Sequence, residues 1–305
     1  MPTIRRVRAA VTGGAGFIGS HLVDALVARG GDVLVIDDLS TFGDRYVNGS
    51  ATLDRRDIRD GVDLQGAEVV FHLAAQTDVQ TSVREPARDA DVNVVGTVKV
   101  LEAAQAAGAR VVFTSTGGAI YGECPQPATE TTPREPGSPY GIAKLCGEEY
   151  LFGFNRIHGS THVVCRLGNV FGPRQSPSLE GGVVSIFLDR FARGEATVIF
   201  GDGLQVRDFV YVGDVVDALL AASAHAGGVF NVGSGNETTV LALHEACARA
   251  AGVDAEPVFE AARLGDLRRS SLDVSLAAAE LGFRAQMSLD DGIERTWAWT
   301  KEQAA

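Results

Sequence analysis

The sequence has few cysteines and no long hydrophobic run. The four cysteines show neither close pairing nor the spacing of a metal site: they are Cys124, Cys146, Cys165 and Cys247. We therefore expect reduced thiols, a cytoplasmic protein and no bound metal. No run approaches the roughly 18 apolar residues of a membrane span, so we expect no membrane partner.

Basic residues are also scarce relative to acidic ones. Lys and Arg number 27 against 39 Asp and Glu, which gives a formal net charge of −12. A general nucleic-acid binder presents a basic face, so we expect no nucleic-acid partner. An anionic ligand would instead have to be bound by a few placed arginines and backbone amides.

Short apolar runs alternate with helical patterns through the first half of the chain. The patterns predict strands at residues 7–11, 33–36, 69–73, 111–114 and 163–167, and helices at 20–29, 92–107 and 139–158. Unbroken β-branched runs between helices are typical of a parallel sheet covered on both faces. We expect a first domain at residues 1–168, rejoined by about 209–232, and a second, smaller lobe at 169–305.

The stretch TGGAGFIG follows the first predicted strand and opens the first predicted helix. Gly13, Gly16 and Gly19 allow a tight turn and a close approach of the backbone to a pyrophosphate. Phe17 and Ile18 begin the helix, whose N-terminus supplies N–H donors and partial positive charge. A glycine-rich turn without a ligand would have the same local sequence, but the flanking strand and helix favour a dinucleotide site.

An acidic pair ends the next predicted strand. Asp37 lies 18 residues beyond Gly19, and Asp38 adds a second charge. A carboxylate at this position suits the adenosine ribose hydroxyls of NAD and would repel the 2′-phosphate of NADP. The sequence therefore predicts NAD. Asp57-Ile58 and Leu73-Ala74-Ala75 occur where further cofactor contacts are expected, although ordinary packing would explain them equally well; His72 is expected to be a core histidine.

Tyr140 and Lys144 are four residues apart, so a helix would place them on one face. A free tyrosine has a pKa of about 10, and a nearby ammonium or a positive nicotinamide ring favours its phenolate. The stretch FTSTGGAIYG places Thr114, Ser115 and Thr116 at a strand end, where one hydroxyl could complete a proton relay. A tyrosine and a lysine at this spacing are common on exposed helices, but the pair indicates catalysis when it follows a dinucleotide site and a hydroxyl-rich strand end in the sequence.

The chain resembles the extended short-chain dehydrogenases/reductases, most of all nucleotide-sugar epimerases of the UDP-galactose (UDP-glucose) 4-epimerase type. Seven motifs fall in the family's order and spacing: TGGAGFIG, DDLS, HLAAQ, YGIAK, NVFGPRQ, VRDFVYVGDV and ARLGDLRRS. The resemblance implies an α/β fold, with a Rossmann doubly wound parallel sheet and a smaller α/β substrate-binding lobe. It also implies a homodimer built on two helices per subunit, here residues 92–107 and 139–158.

The resemblance also implies roles for individual residues. Thr116 would be the catalytic hydroxyl, Tyr140 the base and Lys144 its helper, while Asn93 would support the helix that bears the lysine. The implied cofactor contacts are Gly13, Gly16, Phe17, Ile18, Gly19, Asp37, Asp38, Leu39, Ser40, Asp57, Ile58, Leu73, Ala74, Ala75, Gln76, Asn93, Thr114, Tyr140 and Lys144.

The hydroxyl-rich stretch departs from the family's common form. It is one residue longer between Phe113 and Tyr121, with two glycines in the extra space, so Ser115 stays an alternative to Thr116. Related dehydratases carry Asp-Glu just after the hydroxyl, and related decarboxylases carry Glu. Because Gly117 and Gly118 supply no carboxylate, neither the dehydratase nor the decarboxylase reaction would have a group to carry its proton. The reaction that remains is oxidation at C4 followed by return of the hydride.

The second half carries residues that resemble the family's nucleotide-sugar contacts. Arginine's planar fork pairs with phosphate oxygens in two-pronged fashion, although each residue alone could be a surface charge or part of a core strand. The implied contacts are Asn169 with the pyrophosphate, Arg207 and Arg263 with the diphosphate, Asp266 with the uridine ribose, Thr197, Val198 and Phe200 with uracil, and Val183 and Val184 with the sugar.

We therefore expect NAD-dependent C4 epimerisation of a UDP-hexose through a 4-keto intermediate. By the resemblance, the hydride passes from C4 to the nicotinamide and returns to the other face, so NAD stays bound through turnover. The alternatives are a UDP-glucuronate 4-epimerase, a nucleotide-sugar reductase or dehydratase of the same family, and a catalytically silent NAD-binding regulator. Glucose/galactose, their N-acetyl forms and glucuronate/galacturonate all remain open as the sugar.

Overall fold

The computed structural model describes residues 8–178, 182–263 and 266–304. The strands are β1 Arg8–Thr12, β2 Asp32–Asp37, β3 Thr52–Arg55, β4 Val69–His72, β5 Arg110–Thr116, β6 Val163–Leu167, β7 Asn169–Phe171, β8 Val198–Phe200, β9 Val206–Arg207, β10 Phe209–Tyr211, β11 Gly228–Val232, β12 Thr238–Thr239, β13 Val258–Glu260 and β14 Arg269–Ser270. The helices are α1 Phe17–Ala28, α2 Val79–Arg84, α3 Pro86–Ala90, α4 Gly96–Ala107, α5 Gly117–Ile120, α6 Pro139–His158, α7 Val183–Ala192, α8 Val212–Ser223, α9 Val240–Ala251, α10 Ser275–Glu280 and α11 Leu289–Ala304, with a 3₁₀ turn at Ile58–Asp60 and a π-helical turn at Asp91–Val95.

Seven parallel strands form the central sheet in the order β11-β6-β5-β4-β1-β2-β3. Apolar side chains cover both faces. On one face Leu22 of α1 and Leu219 of α8 share a core with the sheet, and on the other Leu101 of α4 and Leu151 of α6 do so. The structure confirms the predicted doubly wound α/β fold.

The strand order reverses direction at β1, which lies between β2 and β4. In parallel sheets of this kind, ligands bind outside the carboxyl ends of the strands at such a reversal. The glycine-rich turn after β1 and the segment after β4 meet at this edge, because Leu73 N donates to Thr12 O over 3.0 Å. Two of the segments expected to contact the cofactor therefore lie side by side.

The predicted helix at 139–158 has the observed bounds because both of its ends carry strong local signals. The Ser138 side chain accepts the Gly141 N–H at 3.2 Å, and Gly159 ends the helix in a left-handed conformation with φ of 67°. The predicted helix at 92–107 differs, since the π-helical turn precedes α4. The strand predicted at 111–114 extends to Thr116, so all three hydroxyls lie in β5.

The later part of the chain both returns to the central sheet and builds a separate core. Strand β11 pairs with β6 in the central sheet, whereas β10 pairs with β7 outside it. Helices α7, α9 and α11 enclose Phe187, Leu243 and Ile293. Within the described ranges, no helix has the length and apolar character to cross a membrane.

Candidate active site

The glycine-rich turn after β1 has a shape that side chains would destroy. Gly13 has a φ of 71°, and a Cβ there would lie 2.6 Å from Ala74 N. A Cβ on Gly19 would collide with the Gly13 carbonyl oxygen. Gly16, which precedes α1, provides no side-chain cap, so the first-turn N–H groups can bind an anion. These features fit the pyrophosphate of a dinucleotide.

Asp37 lies beside this turn. Its carboxylate accepts the Ala15 N–H at 3.0 Å and the Leu39 N–H at 2.8 Å. Burial raises the pKa of Asp37 above its ordinary value. Asp38 accepts both the backbone N–H and the hydroxyl of Ser40, at 2.9 and 2.6 Å. The carboxylate expected to meet the adenosine ribose is therefore held next to the phosphate-binding turn.

The side chains of Asp57 and Ile58 already have partners in the protein. Asp57 forms a 2.6 Å ion pair with Arg59, and this hydrogen-bonded contact lowers the pKa of the carboxyl group. Ile58 is buried, and its Cδ1 lies 2.6 Å from the position of a Cβ on Gly96. A cofactor contact by Asp57 would therefore have to share its carboxylate with Arg59.

Asn93 organises the segment that follows β4. Its Oδ1 accepts the Gln76 N–H at 2.9 Å, and its Nδ2 donates to Gln76 O and to Asp89 Oδ1, both at 2.9 Å. These hydrogen-bond partners lie outside α6, so any support of the lysine-bearing helix by Asn93 comes from the packing of its turn and of α3 against α6. The π-helical turn places Asn93 against the loop after β4.

His72 is a core histidine, as predicted. Its Nδ1 lies 2.7 Å from Thr12 Oγ1 and its Nε2 lies 3.0 Å from Thr97 Oγ1. Burial, with a smaller effect of the Lys144 charge, lowers the pKa of His72 to about 3. The ring is therefore neutral at physiological pH and joins β1 to α4.

Tyr140 and Lys144 lie on successive turns of α6 at the carboxyl edge of the sheet. The Tyr140 N–H donates to Ser82 Oγ at 3.1 Å. Lys144 is 3% exposed, and its Nζ donates to Thr114 O at 3.0 Å and lies 4.9 Å from the Phe113 ring centroid. Burial lowers the pKa of Lys144 to about 8.

The electrostatics of Tyr140 differ from the sequence-based expectation. Burial, followed by the charge of Asp89, raises the pKa of the phenol well above its ordinary value. The Lys144 ammonium, which was expected to favour the phenolate, instead donates to a backbone carbonyl. In this arrangement burial and the Asp89 charge both favour the protonated phenol.

The three hydroxyls of β5 have different surroundings. Thr114 Oγ1 donates to His72 O at 3.0 Å, and Ser115 Oγ is buried without a hydrogen-bond partner. Thr116 is half-buried, and its Oγ1 lies 3.9 Å from the position of a Cβ on Gly118. The same position lies 3.6 Å from Asn169 Oδ1. Thr116 thus faces the expected substrate side.

The two glycines after Thr116 differ in how much space a side chain would find at each position. A Cβ on Gly117 would lie 2.6 Å from Leu272 Cδ1, so a side chain there would require the buried Leu272 side chain to move. A Cβ on Gly118 would make only ordinary contacts. Packing therefore explains the lack of a carboxylate at the first position but not at the second.

The expected nucleotide-sugar residues form two groups in the second part of the chain. Arg207 Nη2 lies 3.9 Å from Asp266 Oδ1, and the Arg263 guanidinium carbon lies 3.8 Å from the Phe200 ring centroid. Burial lowers the pKa of Arg207. Leu264 and Gly265 of the same motif lie outside the described residues.

Two side chains expected at the substrate lie in the core instead. Thr197 is 1% exposed, and its Oγ1 lies 2.7 Å from His244 Nε2; Val184 is equally buried. Alternation along β8 turns Val198 and Phe200 outward and directs Thr197 inward. Val183, one residue before Val184, is half-buried. A contact of Thr197 or Val184 with the substrate would therefore have to come from the backbone.

Sequence reasoning also misses Asp89, a carboxylate that is 1% exposed and acts electrostatically on Tyr140 and Lys144. Its sequence signal is weak, because an aspartate four residues before an asparagine occurs on many helices. Its position becomes meaningful only when α3 packs beside α6.

Residues 9–233 match the model of the NAD dependent epimerase/dehydratase family. The chain belongs to this family. A UDP-glucose 4-epimerase of Mycolicibacterium smegmatis is 47% identical over 305 aligned residues, which cover 95% of this chain and 97% of the relative.

Two solved structures of family members are similar over nearly the whole fold. The UDP-glucose 4-epimerase of Thermotoga maritima with UDP-glucose has a TM-score of 0.94 and 44% identity, covering 98% of this chain and 100% of that one. The UDP-glucose 4-epimerase of Thermus thermophilus in complex with NAD has a TM-score of 0.89 and 40% identity, covering 96% and 99%.

Proposed function

We propose that the protein is an NAD-dependent UDP-glucose 4-epimerase. The observation that carries the proposal is the packing of α6, which bears Tyr140 and Lys144, on β5: Lys144 Nζ donates to Thr114 O, two residues before Thr116, and Gly117 and Gly118 supply no carboxylate. Epimerases at 40–47% identity, one with UDP-glucose and one with NAD, support the same activity.

The residues around the switch point fit NAD. The turn at Gly13 and Gly19 and the open N-terminus of α1 would hold its pyrophosphate, and Asp37 would hold its adenosine ribose. When bound, NAD supplies an acceptor for the C4 hydride and a donor for its return.

The chain's own residues would move the proton and hold the substrate. Thr116 would pass the proton of the C4 hydroxyl to Tyr140. The Lys144 ammonium, together with the positive nicotinamide ring of bound NAD, would favour the phenolate form that accepts this proton over the protonated phenol that burial favours without the cofactor. Arg207 and Arg263 hold the diphosphate, so the 4-keto sugar can turn about that link and present its other face. Tyr140 then returns the proton to the C4 oxygen.

The activity is tested by incubating purified protein with UDP-glucose, UDP-galactose and UDP-glucuronate in separate samples, followed by NMR of the sugar. We expect inversion at C4 for the glucose/galactose pair, without net formation or consumption of NADH. Inversion of the glucuronate alone would favour the UDP-glucuronate alternative. No C4 inversion of any sugar would refute the proposal, and stoichiometric NADH consumption would indicate a reductase.

The two candidate relay hydroxyls can be separated by substitution. Thr116→Val should lower kcat by about 10²-fold, because it removes the hydroxyl that faces the substrate side. Ser115→Ala should leave kcat within a factor of three or so and leave the fold as stable or more stable, since that buried hydroxyl has no partner. Steady-state kinetics at saturating substrate measures both. The opposite ranking would assign the relay to Ser115.

We further propose a homodimer built on α4 and α6. Val95, Ile142 and Tyr150 are exposed by 45%, 51% and 47%, although all three are apolar or aromatic and lie on or beside these helices. Ile142→Glu should convert a two-chain assembly to a monomer in light scattering, because a charge cannot be buried unpaired. Leu204→Glu, at a similarly exposed site in the other lobe, is the control. A monomeric wild type would refute the dimer.

A further inference from the structure

Asp89 is a buried carboxylate with neutral hydrogen-bond donors. Its Oδ1 accepts N–H groups from Gln76 Nε2 and Asn93 Nδ2, both at 2.9 Å. Its Oδ2 is buried without a hydrogen-bond partner. The side chain lies on α3, which packs against the helix that carries Tyr140 and Lys144. Burial raises the pKa of Asp89, whereas the amide hydrogen bonds and the Lys144 charge lower it. A buried carboxylate bound only by amides needs such a positive charge nearby to stay ionised.

The Lys144 ammonium is the positive charge near Asp89, and the other charged groups around it have partners of their own. On its own helix, Glu148 lies one turn on, but Arg166 of β6 binds it in two-pronged fashion at 2.9 and 2.6 Å. On β4, His72 is neutral. Within the described ranges, no arginine, lysine or histidine forms an ion pair with Asp89. Of the two carboxylates that act on Lys144, Glu148 is therefore neutralised by Arg166, whereas Asp89 has no arginine partner.

We propose that Asp89 is a positioning residue whose ionised carboxylate, fixed by Gln76 and Asn93, balances the charge of the buried Lys144 ammonium behind Tyr140. The inference rests on the proposed roles of Tyr140 and Lys144. The negative charge raises the pKa of Lys144 against the larger lowering by burial. It also raises the pKa of Tyr140, so one group acts on both members of the pair.

Asp89→Asn removes the charge and keeps the hydrogen bonds, because the unpartnered Oδ2 is the atom that becomes an amide nitrogen. The chain contains three lysines, Lys99, Lys144 and Lys301, so ¹³Cε-lysine NMR resolves Lys144 directly. We expect Lys144 to titrate near pH 8 in the wild type. In Asp89→Asn the midpoint should fall by about one pH unit, because a nearby opposite charge is lost.

Glu85→Gln is the matched control, since Glu85 precedes the same helix and forms an exposed pair with Arg88. It should leave the Lys144 midpoint unchanged. A folded Asp89→Asn variant with an unchanged midpoint would overturn the proposal. The wild-type Lys144 signal should also show a smaller inflection in the acid range as Asp89 takes up its proton. A flat trace there contradicts the proposal even if the variant does not fold.

Activity provides a second readout. Because the Asp89 charge raises both pKa values, Asp89→Asn should move both limbs of the kcat/KM profile to lower pH. If Asp89 had only a structural role, Asp89→Asn would lower kcat/KM at every pH without moving the acid or the alkaline limb of the profile. The titration needs neither substrate nor cofactor, so this inference and the proposed epimerase activity can fail separately.

Discussion

Tyr140→Phe is expected to lower the rate of C4 epimerisation by about 10²- to 10⁴-fold, because it removes the group that accepts and returns the C4 proton. The phenol ring stays, and the backbone N–H of residue 140 still donates to Ser82. The variant should therefore fold and bind NAD as the wild type does. Initial rates by NMR and an NAD titration measure the two effects.

Tyr150→Phe is the control for this substitution. Tyr150 lies ten residues further along α6, on the proposed dimer face, and Phe keeps its ring there, so loss of the hydroxyl alone should leave the rate unchanged. If Tyr140→Phe turned over at the wild-type rate, the assignment of Tyr140 as the base would be wrong. Equal losses in both variants would point to damage of the helix instead.

Gly19→Ala is expected to weaken NAD binding by at least about tenfold, because the added methyl group collides with the backbone of the phosphate-binding turn. Either α1 moves away from the turn or the turn opens. Overpacking of this kind also costs about 1–3 kcal/mol of stability. Calorimetric titration with NAD and thermal unfolding of the free protein measure the two effects.

Gly153→Ala makes the same change where there is room. Gly153 lies inside α6, and no atom lies within 4 Å of the position of its Cβ. Alanine should raise the free energy of unfolding by about 0.5–1 kcal/mol, through helix propensity, and leave NAD affinity unchanged. Undiminished NAD affinity in Gly19→Ala would contradict the cofactor site described above.

Much of the fold was predictable because its signals are local. Apolar β-branched runs mark the strands of the sheet, and Ser138 and Gly159 mark both ends of α6. Such signals depend on a few neighbouring residues, so they survive without knowledge of the tertiary structure.

The features that sequence reasoning missed depend on contacts between distant segments. The Thr197 hydroxyl turns inward to His244, and a side chain on Gly117 would displace that of Leu272. Asp89 affects the catalytic pair only through the packing of α3 on α6. Local patterns contain none of these pairings, which arise when the elements assemble.

The central claim is that the hydrogen at C4 leaves the sugar and returns to the same carbon on its other face. The most direct test is incubation with UDP-glucose deuterated at C4, with ¹H and ²H NMR of the product. We predict UDP-galactose that keeps deuterium at C4 in ordinary water. Protium at C4 of the product, or deuterium lost to solvent at the rate of inversion, would contradict the account.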